Sequence, residues 1–287
     1  MISVIVPAYN EESNIANTVR AIFSIMNQEE YRPFEVIVVD DGSTDNTLRE
    51  AQKTDAKVLM HPHNIGYGRS IKDGIHAAAA DTIVICDADG TYPIEEMKKI
   101  VNQYNLGFDM VVGARSGKNY DEYFMKKALR LVLQALVEFT SGRKIPDINS
   151  GLRAFSKKTV IPYFTRLCDT FSFTTSLTLA YMMTGKFVHY IPIGYHKRVG
   201  KTKVRLFRDA LRTLQFIIEA IVFYNPIKIF LLFSIFLVIL SIFCFLISFY
   251  FSVLAGYILG LSSLLLAILM FGIGLIAVLL KQIMHEK

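Results

Sequence analysis

Three acidic clusters stand where short apolar runs end: Pro7-Ala8-Tyr9-Asn10-Glu11-Glu12, Asp40-Asp41-Gly42-Ser43 and Asp87-Ala88-Asp89-Gly90. Two carboxylates one residue apart on a tight turn suit a hard divalent cation that keeps several waters and bridges a diphosphate. Taken alone, such a triplet is more often a solvated turn. Its position after a buried strand, with Asp40 and Asp41 ending another, reverses the balance, because open α/β sheets place ligands at the carboxyl ends of their strands. Asp40 or Asp41 can accept a hydrogen bond from a base N–H or a ribose hydroxyl, and Tyr9 can pack against the base. No glycine-rich phosphate loop follows the first strand, which argues against a dinucleotide fold or a P-loop ATPase.

The elements that must position these clusters are legible as Val/Ile-rich runs alternating with helical periodicity. Strands are predicted at Ser3–Val6, Glu35–Asp40, Lys57–Met60, Thr82–Cys86 and Met110–Val112, with helices near Ser13–Met26, Thr44–Lys53, Tyr67–Ala79 and Ile94–Tyr104. Apolar runs without polar alternation mean strands buried on both faces, the mark of a mostly parallel sheet flanked by helices. A further helix near Tyr123–Phe139 leads into a loop from Ser141 to Ser150. Cys86 reads as a core residue beneath the acidic turn. His61, His63 and His76 make no ligand set, and the His61–Asn64 loop is either plain surface or a border of the nucleotide. Three cysteines without paired spacing argue against a disulfide framework or zinc site and for a reducing compartment.

The last third is different. From Ile229 to Leu280 there is no charged residue, enough for two helical spans of about 20 residues each. Spans are expected near Ile227–Tyr250 and Tyr257–Leu280, with the turn close to Gly256 and Gly260 and with Asn225 and Pro226 opening the first. Before them, Val204, Phe207, Leu211, Leu214, Ile218 and Ile221 share one helical stripe and Arg205, Arg208, Arg212 and Glu219 the other, which predicts an amphipathic helix lying in a membrane interface. The net charge of +6 concentrates at Lys197, Arg198, Lys201, Lys203, Arg205, Arg208 and Arg212, with Lys281 and Lys287 beyond the second span. Positive charge at both ends of a hairpin places both on the cytoplasmic side. A basic run can also be a solvated face or a nucleic-acid patch; the adjacent apolar run decides for lipid, and no nucleic-acid partner is expected. Mean hydropathy is +0.37, too apolar for an ordinary cytosolic enzyme, while the first two hundred residues are too charged for a transporter. Met1 runs straight into a strand, so no signal peptide is expected. The implied organisation is a soluble domain over 1–203, a juxtamembrane helix over 204–225 and a two-span hairpin with a short basic tail over 226–287.

Six segments in order, Val6–Glu12 (VPAYNEE), Val39–Thr47 (VDDGSTDNT), Asp87–Pro93 (DADGTYP), Gly113–Arg115 (GAR), Pro146–Phe155 (PDINSGLRAF) and Arg198–Lys203 (RVGKTK), together resemble family 2 inverting glycosyltransferases of the Rossmann-like GT-A fold. The branch is that of polyprenyl-phosphate hexose synthases acting on dolichyl or undecaprenyl phosphate. The resemblance covers almost all of residues 1–203, and the hairpin matches two-span prokaryotic members. It implies that Pro7, Tyr9, Glu11, Asp40 and Asp41 hold the nucleoside and that Asp87 contacts the nucleotide. Asp89, with Asp87, would ligate Mg²⁺ or Mn²⁺. Arg115 would take the acceptor phosphate, Asp147, Asn149, Ser150 and Arg153 the sugar and acceptor head, and Arg198 and Lys203 the donor diphosphate. Two departures stand out: relatives often carry a metal-binding Gln where this chain has Thr91, and the helical basic residue that joins the acceptor phosphate corresponds to Lys126, Lys127 or Arg130, with Lys127 favoured. Phe171, Phe173 and Thr174 are expected to order a loop near the acceptor.

The implied reaction is attack by a lipid phosphate on the anomeric carbon of a nucleotide sugar, with Asp89, Arg115 and Arg198 carrying catalysis by charge. UDP-glucose or a related UDP-hexose is favoured and GDP-mannose comes next. The rival readings are a transferase acting on another lipid such as diacylglycerol and a non-catalytic, membrane-tethered sugar-nucleotide binder. A processive polysaccharide synthase is excluded, because its Gln-x-x-Arg-Trp motif needs a Trp and the chain has none. The expected setting is a prokaryotic plasma membrane with the catalytic domain in the cytoplasm. Gly256, Gly260, Ser262, Ser263, Gly272 and Gly274 would let second spans pack between protomers of a dimer or tetramer.

Overall fold

Seven strands among the described residues form one sheet in the order β3-β2-β1-β4-β6-β5-β7. They are β1 (Ile2–Ala8), β2 (Phe34–Asp40), β3 (Lys57–Met60), β4 (Thr82–Ile85), β5 (Met110–Arg115), β6 (Arg153–Ser156) and β7 (Val188–Ile193). This computed structural model describes residues 1–116, 131, 134–139, 141–196 and 206–285. Most of the helix expected near Tyr123–Phe139 lies outside them, as do Lys126, Lys127, Arg130, Arg198 and Lys203. The chain divides into two compact units, Met1–Phe216 and Ile217–Lys287.

In the first unit, β1 pairs in parallel with β2 and β4, β2 with β3, and β5 with β7; β6 runs antiparallel between β4 and β5. The ends of β1, β2, β4, β5 and β7 therefore share one sheet edge with the start of β6. That edge gathers all three acidic clusters. Both faces of the sheet are covered, as the unalternating apolar runs require. Val4, Val6, Val36, Val38 and Val84 pack with Ile15, Val19 and Ile22 of α1 (Ile15–Met26) and, after the short α2 (Thr47–Gln52), with Met97 and Ile100 of α4 (Glu96–Tyr104). On the other face lies α3 (Tyr67–Ala77), whose Gly74 comes so close that a methyl there would sit 2.6 Å from Ile5 Cγ2. Each fully buried aliphatic side chain contributes about 1.5–3 kcal/mol, so the two-sided core fixes the strand ends firmly.

The five predicted strands are present, and the mostly parallel sheet is as expected. Two further strands and one helix are not foreshadowed by periodicity. β6 holds only four residues, and its Arg153 interrupts any apolar run. The segment Phe173–Met183 forms α5 rather than a loop: every residue from Phe173 to Met182 is buried, so no polar face marks the helical period.

The second unit is a pair of long apolar helices entered by α6 (Leu206–Tyr224), which itself spans the boundary between the units. Along α6, Ile217 and Ile221 are buried, while Leu211, Ile218 and Val222 stay exposed. The predicted apolar stripe is thus divided, with Ile221 inside and Leu211 and Ile218 outside; Arg205 lies outside the described residues. The helices α7 (Ile227–Phe251) and α8 (Leu254–His285) are antiparallel and are long and apolar enough to cross a membrane. Only 6% and 11% of their most apolar windows is buried, which rules out helices enclosed by a soluble core. Ser234, Ser241 and Ser248 recur every seventh residue and donate to the carbonyls of Ala267, Gly260 and Val253, which run in the opposite direction at the same interval. The turn is at Ser252, in the left-handed conformation (φ 54°), and not at the glycines. Gly256, Gly260 and Gly274 instead face α7 of the same chain, where added methyls would lie 2.8–2.9 Å from Ser248, Phe245 and Phe230. These three small residues pack within the hairpin. Lys281 closes the unit by donating to the Tyr224 carbonyl at 2.6 Å.

Close backbone approach makes a stability prediction. A methyl added at Gly68 would collide with the Cys168 carbonyl and lie 2.9 Å from Phe173 Cβ, whereas at Gly272 nothing lies within 4 Å. Gly68→Ala should cost about 2–3 kcal/mol and lower the thermal midpoint of the detergent-purified chain. Gly272→Ala should leave it unchanged or slightly raised.

Candidate active site

The first two motifs hold each other. Asn10, at φ 51°, donates its backbone N–H to Ser43 Oγ at 2.9 Å, and its Oδ1 accepts from Thr44 N at 2.8 Å. Glu11 N donates to Thr47 Oγ1 at 2.7 Å, and Glu12 Oε2 accepts from Asn46 N at 3.0 Å. This zipper fixes the loops after β1 and β2, setting Pro7 as a buried strand residue and leaving Tyr9 and Glu11 partly exposed at the edge. The Glu11 carbonyl accepts from Asn14 and Ile15 and so opens α1.

Asp40 and Asp41 have separate roles. Asp41 is 3% exposed and fully engaged: His61 Nδ1 at 2.8 Å, Ile65 N at 3.0 Å and Gly66 N at 2.9 Å all meet its carboxylate. Its oxygens hold the 61–66 loop. Asp40 is 1% exposed; Oδ2 accepts from Ser43 N at 3.3 Å, while Oδ1 has no partner among the described residues. Buried carboxylate oxygens without donors are costly, so Asp40 is the residue of the pair that is poised for a ligand N–H or O–H.

The acidic turn follows β4. Asp89 Oδ1 accepts from Thr91 Oγ1 at 2.6 Å and Thr91 N at 3.1 Å, which gives the residue in the place of the expected Gln a defined part: it orients Asp89. Asp87 Oδ1 accepts from Tyr67 OH at 2.7 Å, and Asp87 is packed so closely on Gly151 that no Cβ fits there. Cys86 beneath is fully buried, and burial with the charges of Asp87 and Asp89 pushes its thiol well above its ordinary range, as an inert core residue. Among the described residues no group of three or more His, Cys, Asp or Glu side chains is arranged to hold a metal ion by itself. Two carboxylates on one turn nevertheless fit a hard divalent cation that draws its other ligands from water and a diphosphate.

At the end of β5, Arg115 and Asp147 find each other. Arg115 Nε meets Asp147 Oδ2 at 2.7 Å and Nη2 meets Oδ1 at 2.9 Å, a bidentate pair with the guanidinium 5.4 Å above the Tyr195 ring. Burial works against the Asp147 charge, but Arg115 and the backbone N–H groups of Arg115 and Asn149 outweigh it and hold the carboxyl below the usual range. Asn149 Oδ1 accepts from Thr175 Oγ1 at 2.7 Å, and the buried Ser150 hydroxyl donates to the Gly113 carbonyl. Arg153 does not reach the cleft. It is wholly buried, with Nε and Nη2 on the Ser150 carbonyl and Nη1 on the Thr174 carbonyl and Thr178 Oγ1. These bonds make it an internal brace tying the Pro146–Phe155 motif to α5.

Three tyrosines complete the edge without having been singled out by sequence. Tyr67 holds Asp87, Tyr92 OH accepts from Gly151 N at 2.7 Å, and Tyr195 lies beneath Arg115. His196 N donates to the Thr91 carbonyl at 2.8 Å, pinning the chain that leaves β7 to the acidic turn. Only the flanking glycines, Gly66 and Gly68 around Tyr67, signalled a close approach there.

Solved structures share this fold. Glucosyl-3-phosphoglycerate synthase from Mycobacterium tuberculosis, in complex with phosphoglyceric acid, matches with a TM-score of 0.64 at 20% identity, over 77% of this chain and 79% of that one. The same enzyme with Mn²⁺, UDP and glucosyl-3-phosphoglycerate matches at 0.62. The arrangement is the GT-A fold implied by the motifs. A dolichyl-phosphate hexose transferase of Haloferax volcanii is 28% identical over 204 residues, 71% of this chain and 86% of that protein. An undecaprenyl-phosphate 4-deoxy-4-formamido-L-arabinose transferase of Proteus mirabilis is 32% identical over 162 residues, 54% of this chain but only 49% of the relative. The glycosyl transferase family 2 model matches residues 3–164, the stretch that builds β1 to β6 and the acidic edge, and the chain belongs to that family.

Proposed function

We propose that the protein transfers a hexose from a nucleotide sugar, UDP-glucose or a related UDP-hexose before GDP-mannose, to a polyprenyl phosphate at a membrane surface. The observation that carries this reading is the single sheet edge on which Asp40, the Asp87–Asp89 turn and the Arg115–Asp147 pair meet. The UDP and Mn²⁺ complexes of the fold neighbours and the lipid-phosphate acceptors named for the relatives support it. The apolar pair α7 and α8 supports anchoring of the chain where such a lipid resides, with the catalytic unit on the cytoplasmic face.

The chemistry follows from charge. A lipid phosphate monoester has a second pKa near ~6, so at neutral pH it is largely a dianion and needs no strong base. Its oxygen forms a bond to the anomeric carbon as the bond to the diphosphate breaks, inverting that centre and releasing a nucleoside diphosphate. A divalent cation held by Asp89 and Asp87 would supply Lewis-acid neutralisation of the leaving diphosphate. Asp40 Oδ1 accepts from the nucleoside, with Tyr9 and Glu11 beside it. Thr91 orients Asp89. Asp147 orients Arg115 for the acceptor phosphate, and Asn149 and Ser150 shape the wall behind it. Arg198, Lys203 and Lys127 are proposed to add cationic charge to the two phosphates. Two unit charges about 4 Å apart repel by roughly 4 kcal/mol at an effective dielectric near 20, the barrier this edge has to lower.

A donor screen tests the reading directly: purified chain, Mn²⁺, a short polyprenyl phosphate, and UDP- or GDP-sugars, with nucleoside diphosphate release and sugar-lipid formation both measured. Transfer from a UDP-hexose is expected, with loss on chelation and recovery on adding Mn²⁺. Asp89→Asn should lower kcat/KM by about two to three orders of magnitude. Hydrolysis or transfer that persists at the wild-type rate in that variant would overturn the assignment.

The Arg115–Asp147 pair makes a separate pH prediction. Because the folded state holds the Asp147 carboxyl below its unfolded value of about 3.9, its stabilisation is complete above that value and is lost as pH falls toward the folded one. Asp147→Asn should cost about 3 kcal/mol at pH 7 by stranding a largely buried cation. It should also flatten the fall in thermal midpoint below about pH 4, as read by scanning fluorimetry.

A further inference from the structure

Tyr67 joins the acidic turn to a separate loop. Its hydroxyl donates to Asp87 Oδ1 at 2.7 Å. Its ring stacks on Phe171, with centroids 6.0 Å apart and planes 11° from parallel.

The backbone around it is built for this contact. Gly66, at φ 130°, lies so close to Asp169 that a methyl would be 2.5 Å from its carbonyl oxygen, and Gly68 abuts Cys168 and Phe173. Lys72 of the same helix donates to the Leu167 carbonyl and to Asp169 Oδ1, both at 2.6 Å, and Arg69 N donates to the Asp169 carbonyl at 2.9 Å. The first turn of α3 and the 167–173 segment thus form one clamped body, and Tyr67 projects from it onto Asp87. Gly151 also lies against this carboxylate, where an added methyl would sit 2.4 Å from Asp87 Oδ2.

Resting on the transferase reading above, we propose that Tyr67 is a positioning residue that locks the Asp87 carboxylate for the cation and diphosphate, with Phe171 holding the tyrosine ring in register. Hydrogen-bond partners of metal-binding carboxylates tune affinity without touching the metal. Tyr67 acts through Asp87, so its effect belongs to cation affinity before it belongs to turnover. Phe171, 45% exposed, provides the stacking surface while leaving the hydroxyl chemistry to Tyr67.

The test is Mn²⁺ titration of the full detergent-purified chain in the presence of UDP, followed by electron paramagnetic resonance, alongside the thermal midpoint. Tyr67→Phe keeps the ring and its stack and removes only the donor. It should weaken Mn²⁺ binding by about tenfold or more while the midpoint moves by less than about 2 °C. In transfer assays its apparent Mn²⁺ constant should rise by a similar factor, with kcat at saturating Mn²⁺ retained within about threefold. Phe171→Ala keeps the donor but frees the ring and should weaken binding by about two- to threefold, which provides a second measure if Tyr67→Phe does not fold. Wild-type Mn²⁺ affinity in Tyr67→Phe, with UDP-dependent binding intact in the parent, overturns the role of Tyr67 alone. Absence of UDP-dependent Mn²⁺ binding in the parent overturns the transferase reading and this one with it.

Discussion

Carboxylates crowded at one edge of a sheet repel one another, and the local structure of this protein is organised around containing that repulsion. Each acidic side chain at the edge has its own donor. Asp41 takes the backbone N–H groups of Ile65 and Gly66, Asp89 takes Thr91, Asp87 takes Tyr67, and Asp147 takes the bidentate fork of Arg115. Asp40 keeps one buried oxygen without a partner among the described residues. Donors of this kind hold buried and half-buried carboxylates in fixed positions despite their mutual repulsion.

Fixing them depends on backbone contact more than on side-chain volume. Gly151 lets the Pro146–Phe155 motif press on Asp87, and Gly68 lets α3 rest on Cys168. The buried Arg153 serves the same end from below. Its guanidinium binds the Ser150 and Thr174 carbonyls and the Thr178 hydroxyl, and burial lowers its pKa from the ordinary guanidinium value. A cation held this way is expensive to remove.

The second unit solves a different problem with an equally strict spacing. In a lipid environment apolar burial does not drive helices together, so close packing and interhelical hydrogen bonds must do so. Serines at every seventh position of α7 meet small residues and open carbonyls of α8. The glycines that looked like a turn are the contact surface, because a helix in an apolar medium can carry glycine where a neighbouring helix covers it.

The sequence by itself determined the β1–β5 framework, the acidic edge and the apolar pair, because each leaves a local trace: unalternating Val/Ile runs, carboxylates just past them, and an uncharged stretch of fixed length. Cys86 as core and the place of Asp89 were legible for the same reason. Tertiary structure alone decided which carboxylate of Asp40 and Asp41 keeps an unpartnered oxygen among the described residues, since that depends on the N–H groups of Ile65 and Gly66, 24 and 25 residues beyond Asp41. It decided that Arg115 and Asp147 face each other, that Arg153 is a brace, that Tyr67 reaches Asp87, and that α5 is a helix. None of these has a periodic signature; each is a meeting of residues distant in the chain, fixed by how closely two backbones approach.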